Sequence, residues 1–123
     1  MKKAMRKSDV HPTDFGFLYG LIPNKPSVVP CDIDMIYELN KHFLIGEWKN
    51  KNEHVSLGQK YMLQALANQP KTTVIIIRGV SDGEHLDIGN FYLVTLKGEC
   101  EKLGFGEEEL KQYILNWYNN IKG

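Results

Sequence analysis

Residues 30–49 read PCDIDMIYELNKHFLIGEWK, and this stretch predicts the β-hairpin around which the rest of the chain is organised. Two alternating runs flank a polar corner at residues 38–41. Successive side chains of a strand point to opposite faces of the sheet. Glu47 and Lys49 are therefore expected on one face of the second strand, and pairing of the two strands would bring Asp34 towards them.

The charged residues of this hairpin form a pattern that core packing does not require. Two carboxylates and an ammonium group lie at the end of apolar strands, and carboxylate oxygens are the hard ligands that suit a divalent cation. The sequence therefore indicates a cation site with a lysine beside it. Asp34 is the preferred ligand. Asp32 shares its face and is an alternative ligand, a residue that supports the ligands from behind, or the cap of the turn after Pro30.

These residues resemble the motif of the PD-(D/E)XK nuclease superfamily, in which an acidic residue on one strand precedes Asp/Glu-x-Lys on the next. Asp34 would be the acidic residue, and Glu47-Trp48-Lys49 begins 13 residues later. The resemblance is to a small, phage-like single-domain member. It implies an α/β fold with a minimal restriction-endonuclease-like core, in which a central mixed sheet is flanked by helices.

The resemblance also implies roles for individual residues. Asp34, Glu47 and the main-chain carbonyl of Trp48 would bind Mg²⁺ or Mn²⁺, and Lys49 would hold the attacking water or stabilise the developing negative charge. Gln59 lies near the start of a predicted helix, where many members of the superfamily have a glutamine. It is expected either to contact a phosphate or the water of the metal, or to be an exposed helical residue.

Three lysines are candidates for contacts with the phosphates of a nucleic acid, namely Lys25, Lys51 and Lys60. Lys25 lies in a proline-bounded connection, where a solvated side chain is the alternative interpretation. The formal net charge of the chain is zero. A neutral chain argues against tight, non-specific coating of DNA, but it permits a local basic face.

The remaining elements are predicted from periodicity and turn residues. Ser56 is a suitable N-cap for a helix over residues 57–68, and the β-branched run at 72–78 is typical of a strand buried on both faces. Further predictions are a strand at 15–22, a polar loop at 79–89, a strand at 91–96, a break at 98–106 and a helix at 107–121. The order strand, hairpin, helix and buried strand is that of the β-β-β-α-β core of the superfamily.

Length and composition predict one domain, because 123 residues are too few for two ordinary domains. We expect a flexible basic segment at residues 1–14, which is either solvated or in contact with phosphate, and a single nuclease-like domain at 15–123. No secretory signal or apolar run of membrane-spanning length is visible. We therefore expect a cytoplasmic protein without membrane contact, in which Cys31 and Cys100 are reduced.

The functional hypothesis is a metal-dependent DNA endonuclease or exonuclease that hydrolyses phosphodiester bonds. A small nuclease has limited surface for reading base edges. We therefore expect structure-directed recognition of a junction, flap or end, as in phage-type DNA recombination or processing, by a homodimer or together with a protein partner. The alternative is a non-catalytic nuclease-fold binding module or subunit that acts on a protein or nucleic-acid partner.

Overall fold

The structure is a computed structural model that describes residues 15–25 and 28–122. The chain separates into two units, Met1–Asp32 and Ile33–Gly123. The predicted basic segment at 1–14 lies outside the described residues, so the predicted domain boundary after residue 14 stays a prediction. The hairpin and the candidate cation ligands Asp34 and Glu47 belong to the second unit, whereas Asp32 is the last residue of the first.

The first unit contains a short 3-10 helix, Gly16–Leu18, where the sequence predicted a strand at 15–22. That prediction was wrong. The N–H of Leu18 donates to the Phe15 carbonyl across 2.9 Å, and the N–H of Tyr19 donates to the Gly16 carbonyl across 3.0 Å. A strand needs hydrogen-bond partners on a neighbouring strand, and local turns satisfy these backbone groups instead. Apolar residue type alone did not distinguish the two conformations.

The second unit is a five-stranded mixed sheet with one helix on each face. The spatial order of the strands follows the chain, and the β2–β3 pair is parallel while the other pairs are antiparallel. The prediction of an α/β fold with a mixed sheet is thereby confirmed. The elements are β1 (Met35–Leu39), β2 (His42–Asn50), α1 (Leu57–Ala67), β3 (Thr72–Asp82), β4 (His85–Val94), β5 (Cys100–Phe105) and α2 (Glu107–Lys122).

The predicted hairpin forms from β1 and β2, which pair from Leu39–His42 to Met35–Gly46. Its two-residue loop consists of Asn40 and Lys41, which both have positive φ angles, of 49° and 69°. Such a loop has the backbone twist that matches the twist of the flanking strands. The polar corner in the sequence therefore determines the register, and the register brings the beginning of β1 to the far half of β2.

Two apolar clusters hold the helices against the sheet. On one face, Leu63 and Ala67 of α1 pack with Ile45, Val74 and Ile76. On the other face, α2 packs on a cluster that contains four buried residues, Leu44, Ile75, Ile77 and Phe91. The predicted burial of β3 on both faces is thus confirmed. Helix α1 is the crossover that a parallel strand pair requires, and it covers the face on which alternate residues of β2 lie.

Two predicted irregular segments are strands. The polar segment 79–89 forms the end of β3, a turn at Gly83, where φ is 64°, and the beginning of β4. The predicted break at 98–106 contains β5. Both segments project mostly exposed side chains, so they lack the apolar alternation that marks a strand in a sequence. Backbone pairing with β4 holds them in place.

The observed order also differs from the expected β-β-β-α-β core, because residues 15–22 do not supply its first strand. Within the described residues, no helix is long and apolar enough to cross a membrane.

Candidate active site

Strand β2 carries the two central residues of the site on the face covered by α1. Trp48 packs in the cluster beneath α2, and its neighbours Glu47 and Lys49 therefore point to the opposite side. Glu47 is 7% exposed and Lys49 is 5% exposed. Charged side chains are rarely so deeply buried unless they are paired, and the two groups lie 3.8 Å apart, from Lys49 Nζ to Glu47 Oε2.

Asp34 lies immediately before β1 and contacts β2 where the hairpin ladder ends. The Trp48 N–H donates to Asp34 Oδ2 across 2.8 Å. The register pairs Met35 with Gly46, so Asp34 lies beside Glu47. In a strand, the N–H and C=O of one residue point to the same edge. The Trp48 carbonyl is therefore directed to the edge where the Asp34 carboxylate lies.

Burial and the nearby Asp34 carboxylate both shift the pKa of Glu47. Burial raises the pKa of Glu47 above its ordinary value of 4.5, the negative charge of Asp34 raises it further, and the positive charge of Lys49 acts in the opposite direction. A hydrogen bond with the Asp34 side chain contributes to the same increase. A second negative charge is therefore unfavourable at this site, and a bound cation would offset the repulsion between the two carboxylates.

Gln59 connects the beginning of α1 to the charged pair on β2. Its Nε2 donates to Glu47 Oε2 across 3.1 Å, and its Oε1 accepts from Lys49 Nζ across 2.7 Å. The same residue forms a capping box with Ser56, whose hydroxyl accepts from the Gln59 N–H. Of the two expectations for Gln59, the exposed helical residue is therefore wrong. The side chain bridges the charged pair.

Glu53 is a participant that the sequence did not single out. Its Oε2 lies 3.4 Å from Lys49 Nζ, and its Oε1 accepts from the Asn50 N–H across 3.0 Å. This backbone hydrogen bond is the main reason why the pKa of Glu53 is lowered, with Lys49 as a further cause. The signal in the sequence is limited to an acidic residue four positions after Lys49 in a polar loop. The direction of the Glu53 side chain becomes clear from the path of that loop in the structure.

The candidate phosphate-contacting lysines are distributed over separate parts of the chain. Lys51 follows β2 directly and its N–H donates to the Gly79 carbonyl across 2.8 Å. Lys60 lies on the first turn of α1 and is exposed. Lys25 belongs to the first unit. Their roles in binding nucleic acid stay predictions, as does the role of Asp32.

Asp34, Glu47 and the Trp48 carbonyl are the groups that would hold a Mg²⁺ or Mn²⁺ ion with few protein ligands. In the described part of the chain, no group of three or more His, Cys, Asp or Glu side chains is arranged to hold a metal ion. Mg²⁺ usually retains several waters and is bound through one or two carboxylates together with substrate phosphates. Asp34, Glu47 and the Trp48 carbonyl would supply such a set, and a cation there would offset the repulsion that raises the pKa of Glu47.

Comparisons of the chain with models of known protein families, with curated proteins and with solved structures find no match.

Proposed function

We propose that the chain is a metal-dependent nuclease of the PD-(D/E)XK type, which hydrolyses phosphodiester bonds in DNA. The observation that carries this proposal is the meeting of Asp34, Glu47 and Lys49 at the end of the β1–β2 ladder. Glu47 and Lys49 are both buried on one face, and Asp34 is hydrogen-bonded to the residue between them. Two adjacent carboxylates with a buried lysine suit the electrostatics of phosphate-ester hydrolysis better than they suit packing.

Each residue has a distinct task in this proposal. A Mg²⁺ or Mn²⁺ ion bound by Asp34, Glu47 and the Trp48 carbonyl would supply the charge that polarises the scissile phosphate. Lys49 donates a hydrogen bond to the phosphate oxygen on which negative charge increases in the transition state. Gln59 and Glu53 hold the Lys49 ammonium group in place before the substrate arrives.

The reaction consumes one water. The water oxygen forms a bond to phosphorus while the bond from phosphorus to one sugar oxygen breaks. The proton lost by the water is balanced by the proton that the departing sugar oxygen gains, so the products are one phosphomonoester end and one hydroxyl end.

The decisive experiment compares the purified wild-type protein with Glu47→Gln and Lys49→Met on end-labelled linear, flapped and four-way-junction DNA. Each is incubated with Mg²⁺, Mn²⁺ or EDTA. We expect metal-dependent cleavage by the wild type and a decrease of about 100-fold or more in both variants, as for removal of one transition-state donor. Glu84→Gln and Lys111→Met are matched controls, because Glu84 and Lys111 are both exposed. These two variants should cleave DNA like the wild type.

Two results would contradict the proposal. One is absence of cleavage with every metal and substrate, and the other is equal cleavage by the wild type and by both site variants. Thermal unfolding of each variant must show a folded protein, so that a loss of activity is not a loss of structure.

A binding module without turnover is the second candidate, and one observation favours it. Every buried side-chain nitrogen or oxygen in the described residues has a hydrogen-bond partner. The charged network is therefore satisfied without a ligand, as a purely structural network would be. This candidate predicts that the wild type binds DNA or a protein without cleaving DNA. A subunit that requires a partner would cleave only after co-expression with that partner.

A further inference from the structure

A cavity of about 360 Å³ lies next to the candidate active site, and its lining does not include Asp34, Glu47 or Lys49. Lys51, Arg78, Tyr92 and Phe105 contribute two positive charges and two aromatic rings to its wall. Its volume is at the lower end of the range of sites that bind small organic groups. The combination of cations with aromatic rings is typical of proteins that bind single-stranded nucleic acids.

The cavity opens on the same face of the sheet as Glu47 and Lys49. Ile77 and Phe91 pack in the cluster beneath α2. Their neighbours Arg78 and Tyr92 therefore point to the α1 face.

Phe105 lies on this face for the same reason. A side chain at its neighbour Gly104 would meet Phe91 in the α2 cluster. Phe105 is 59% exposed, so it offers an aromatic surface to the solvent and to a ligand.

Arg78 connects the cavity to the candidate active site. It is the register partner of Lys49 in the parallel β2–β3 pair. Its guanidinium donates to the main-chain carbonyls of Asn50 and Glu53, and the Glu53 carboxylate in turn contacts Lys49. A polymer whose phosphate lies at Lys49 would therefore lie close to Arg78, which lines the cavity.

The wall also contains groups that suit the edge of a nucleobase. Asp87, Asn52 and Asn90 are also among the residues that line the same cavity. A carboxylate accepts hydrogen bonds from the exocyclic amino groups of bases, whereas it repels a phosphate. The lining residues thus include polar groups that suit a base, positive charges that suit the backbone and aromatic rings that suit stacking.

We propose that this cavity holds one unpaired nucleotide of the DNA strand next to the scissile phosphate. Its base stacks on Tyr92 or Phe105, and its phosphate lies between Lys51 and Arg78. A base in a continuous duplex is stacked on both sides and paired, so it must leave the helix to enter such a cavity. The inference rests on the proposed nuclease function and specifies its substrate: DNA with a single-stranded flap or end, in preference to continuous duplex.

The test measures binding without turnover. A flapped duplex with 2-aminopurine in the first unpaired position and a blunt duplex of the same sequence are titrated with protein in EDTA. The affinity is followed by fluorescence anisotropy of an end label, and stacking is followed by quenching of 2-aminopurine. Tyr92→Leu and Phe105→Leu are compared with Tyr118→Leu, which removes an exposed aromatic ring from α2. Because Phe105 is exposed, its variant keeps the test valid even if Tyr92→Leu unfolds the protein.

We expect the wild type to bind the flapped DNA more tightly than the blunt duplex and to quench 2-aminopurine. At least one of the two cavity variants should bind the flapped DNA about 5- to 100-fold more weakly, the range for loss of one base–aromatic stack, and should lose the quenching. Tyr118→Leu should behave like the wild type. Lys51→Gln should make the negative slope of log K against log salt shallower by about 0.7, and Lys111→Gln should leave this slope unchanged.

Equal affinity of the wild type for flapped and blunt DNA would overturn the inference. It would also be overturned if Tyr92→Leu and Phe105→Leu both bound the flapped DNA and quenched 2-aminopurine as the wild type does. Failure of the nuclease proposal is separate. If no cleavage is found but these binding differences appear, the cavity assignment is supported and the nuclease is not. If cleavage is lost in the Glu47 and Lys49 variants while the Tyr92 and Phe105 variants bind flapped DNA like the wild type, the nuclease proposal is supported and the cavity assignment is wrong.

Discussion

Lys49 Nζ donates to Gln59 Oε1 across 2.7 Å, and this hydrogen bond joins a strand residue to the first turn of a helix. The Gln59 amide also donates to Glu47 and completes the N-terminal capping box of α1. One side chain therefore takes part both in the start of the helix and in the arrangement of the charged pair. Formation of the site and docking of α1 on the sheet are expected to be coupled.

Replacement of Gln59 separates these two tasks. Gln59→Leu removes one hydrogen-bond partner from each of two buried charges, and we expect the free energy of unfolding to fall by about 1–3 kcal/mol, with loss of metal-dependent cleavage. Gln59→Glu retains a side chain that can complete a capping box, but it places a third carboxylate beside Glu47. It should therefore retain more stability than Gln59→Leu while still losing activity.

Urea denaturation and cleavage assays check this prediction. Gln112→Leu is the control, because Gln112 lies on the exposed side of α2 and bonds only to the nearby Asn116 side chain among the contacts described. It should change stability by no more than about 0.5 kcal/mol. A Gln59→Leu protein as stable and as active as this control would show that the bridge has neither role.

The stability of the metal-free protein should depend on pH through Glu47. Its pKa is raised in the folded state above the ordinary value of 4.5, chiefly by burial and by the Asp34 charge. Between 4.5 and the raised value, the folded state binds more protons than the unfolded state, so stability falls as pH rises. Glu47→Gln removes this contribution. The stability of the wild type relative to Glu47→Gln should therefore increase as pH falls from about 7 towards 4.5.

Urea denaturation at several pH values in EDTA measures this difference. The comparison with Glu47→Gln removes the contributions of other titrating groups that the two proteins share. If the stability of the wild type relative to Glu47→Gln were constant over this range, or increased with pH, ionisation of Glu47 would not destabilise the folded protein. Saturating Mg²⁺ should reduce the pH dependence, because a cation favours the ionised carboxylate.

Metal binding should be visible without any catalysis. Mg²⁺ or Mn²⁺ that binds only the folded protein raises the free energy of unfolding, by about 2.7 kcal/mol at 100 times the dissociation constant. We expect a rise in the thermal unfolding temperature of the wild type and a much smaller rise for Asp34→Asn. The asparagine oxygen still accepts from the Trp48 N–H, so the local fold is retained while a charged ligand is lost.

Asp82→Asn is the matched control for this measurement, because Asp82 is exposed at the end of β3. It should show the same metal-dependent rise as the wild type. If Asp34→Asn responded to the metals as strongly as this control, Asp34 would not be a ligand.

Two glycines should respond in opposite ways to substitution by alanine. A Cβ atom at Gly79 would overlap the Asp87 carbonyl oxygen and lie 2.9 Å from Trp48 Cη2, whereas nothing lies within 4 Å of a Cβ at Gly58. Gly79→Ala must therefore shift the β3–β4 pair, and we expect a loss of about 1–3 kcal/mol. Gly58→Ala in α1 should gain about 0.4–1 kcal/mol, because it restricts the unfolded chain. Chemical denaturation distinguishes these outcomes, and a Gly79→Ala protein as stable as Gly58→Ala would be incompatible with the close packing of β3 against β4.

The successes of the sequence-based prediction share a physical basis. The β1–β2 hairpin, α1 with its Ser56 cap, β3 and α2 all have signals within a short window, either apolar periodicity or a residue with a defined turn or capping role. The errors lie where such signals are missing or misleading. Residues 15–22 are apolar but form local turns, and β5 is mostly polar yet paired with β4.

The sequence by itself determined that Glu47 and Lys49 share one face of β2, because alternation in a strand is a property of the local backbone. It also determined that α1 begins after Ser56. Only the tertiary structure decided that Gln59 bridges the charged pair, that Glu53 contacts Lys49, and that Arg78 and Tyr92 share a cavity beside them. The cavity joins segments that are distant in the chain. The contacts of Gln59 and Glu53 depend on the docking of α1 and on the path of the loop after β2, and neither of these is encoded in a short window of sequence.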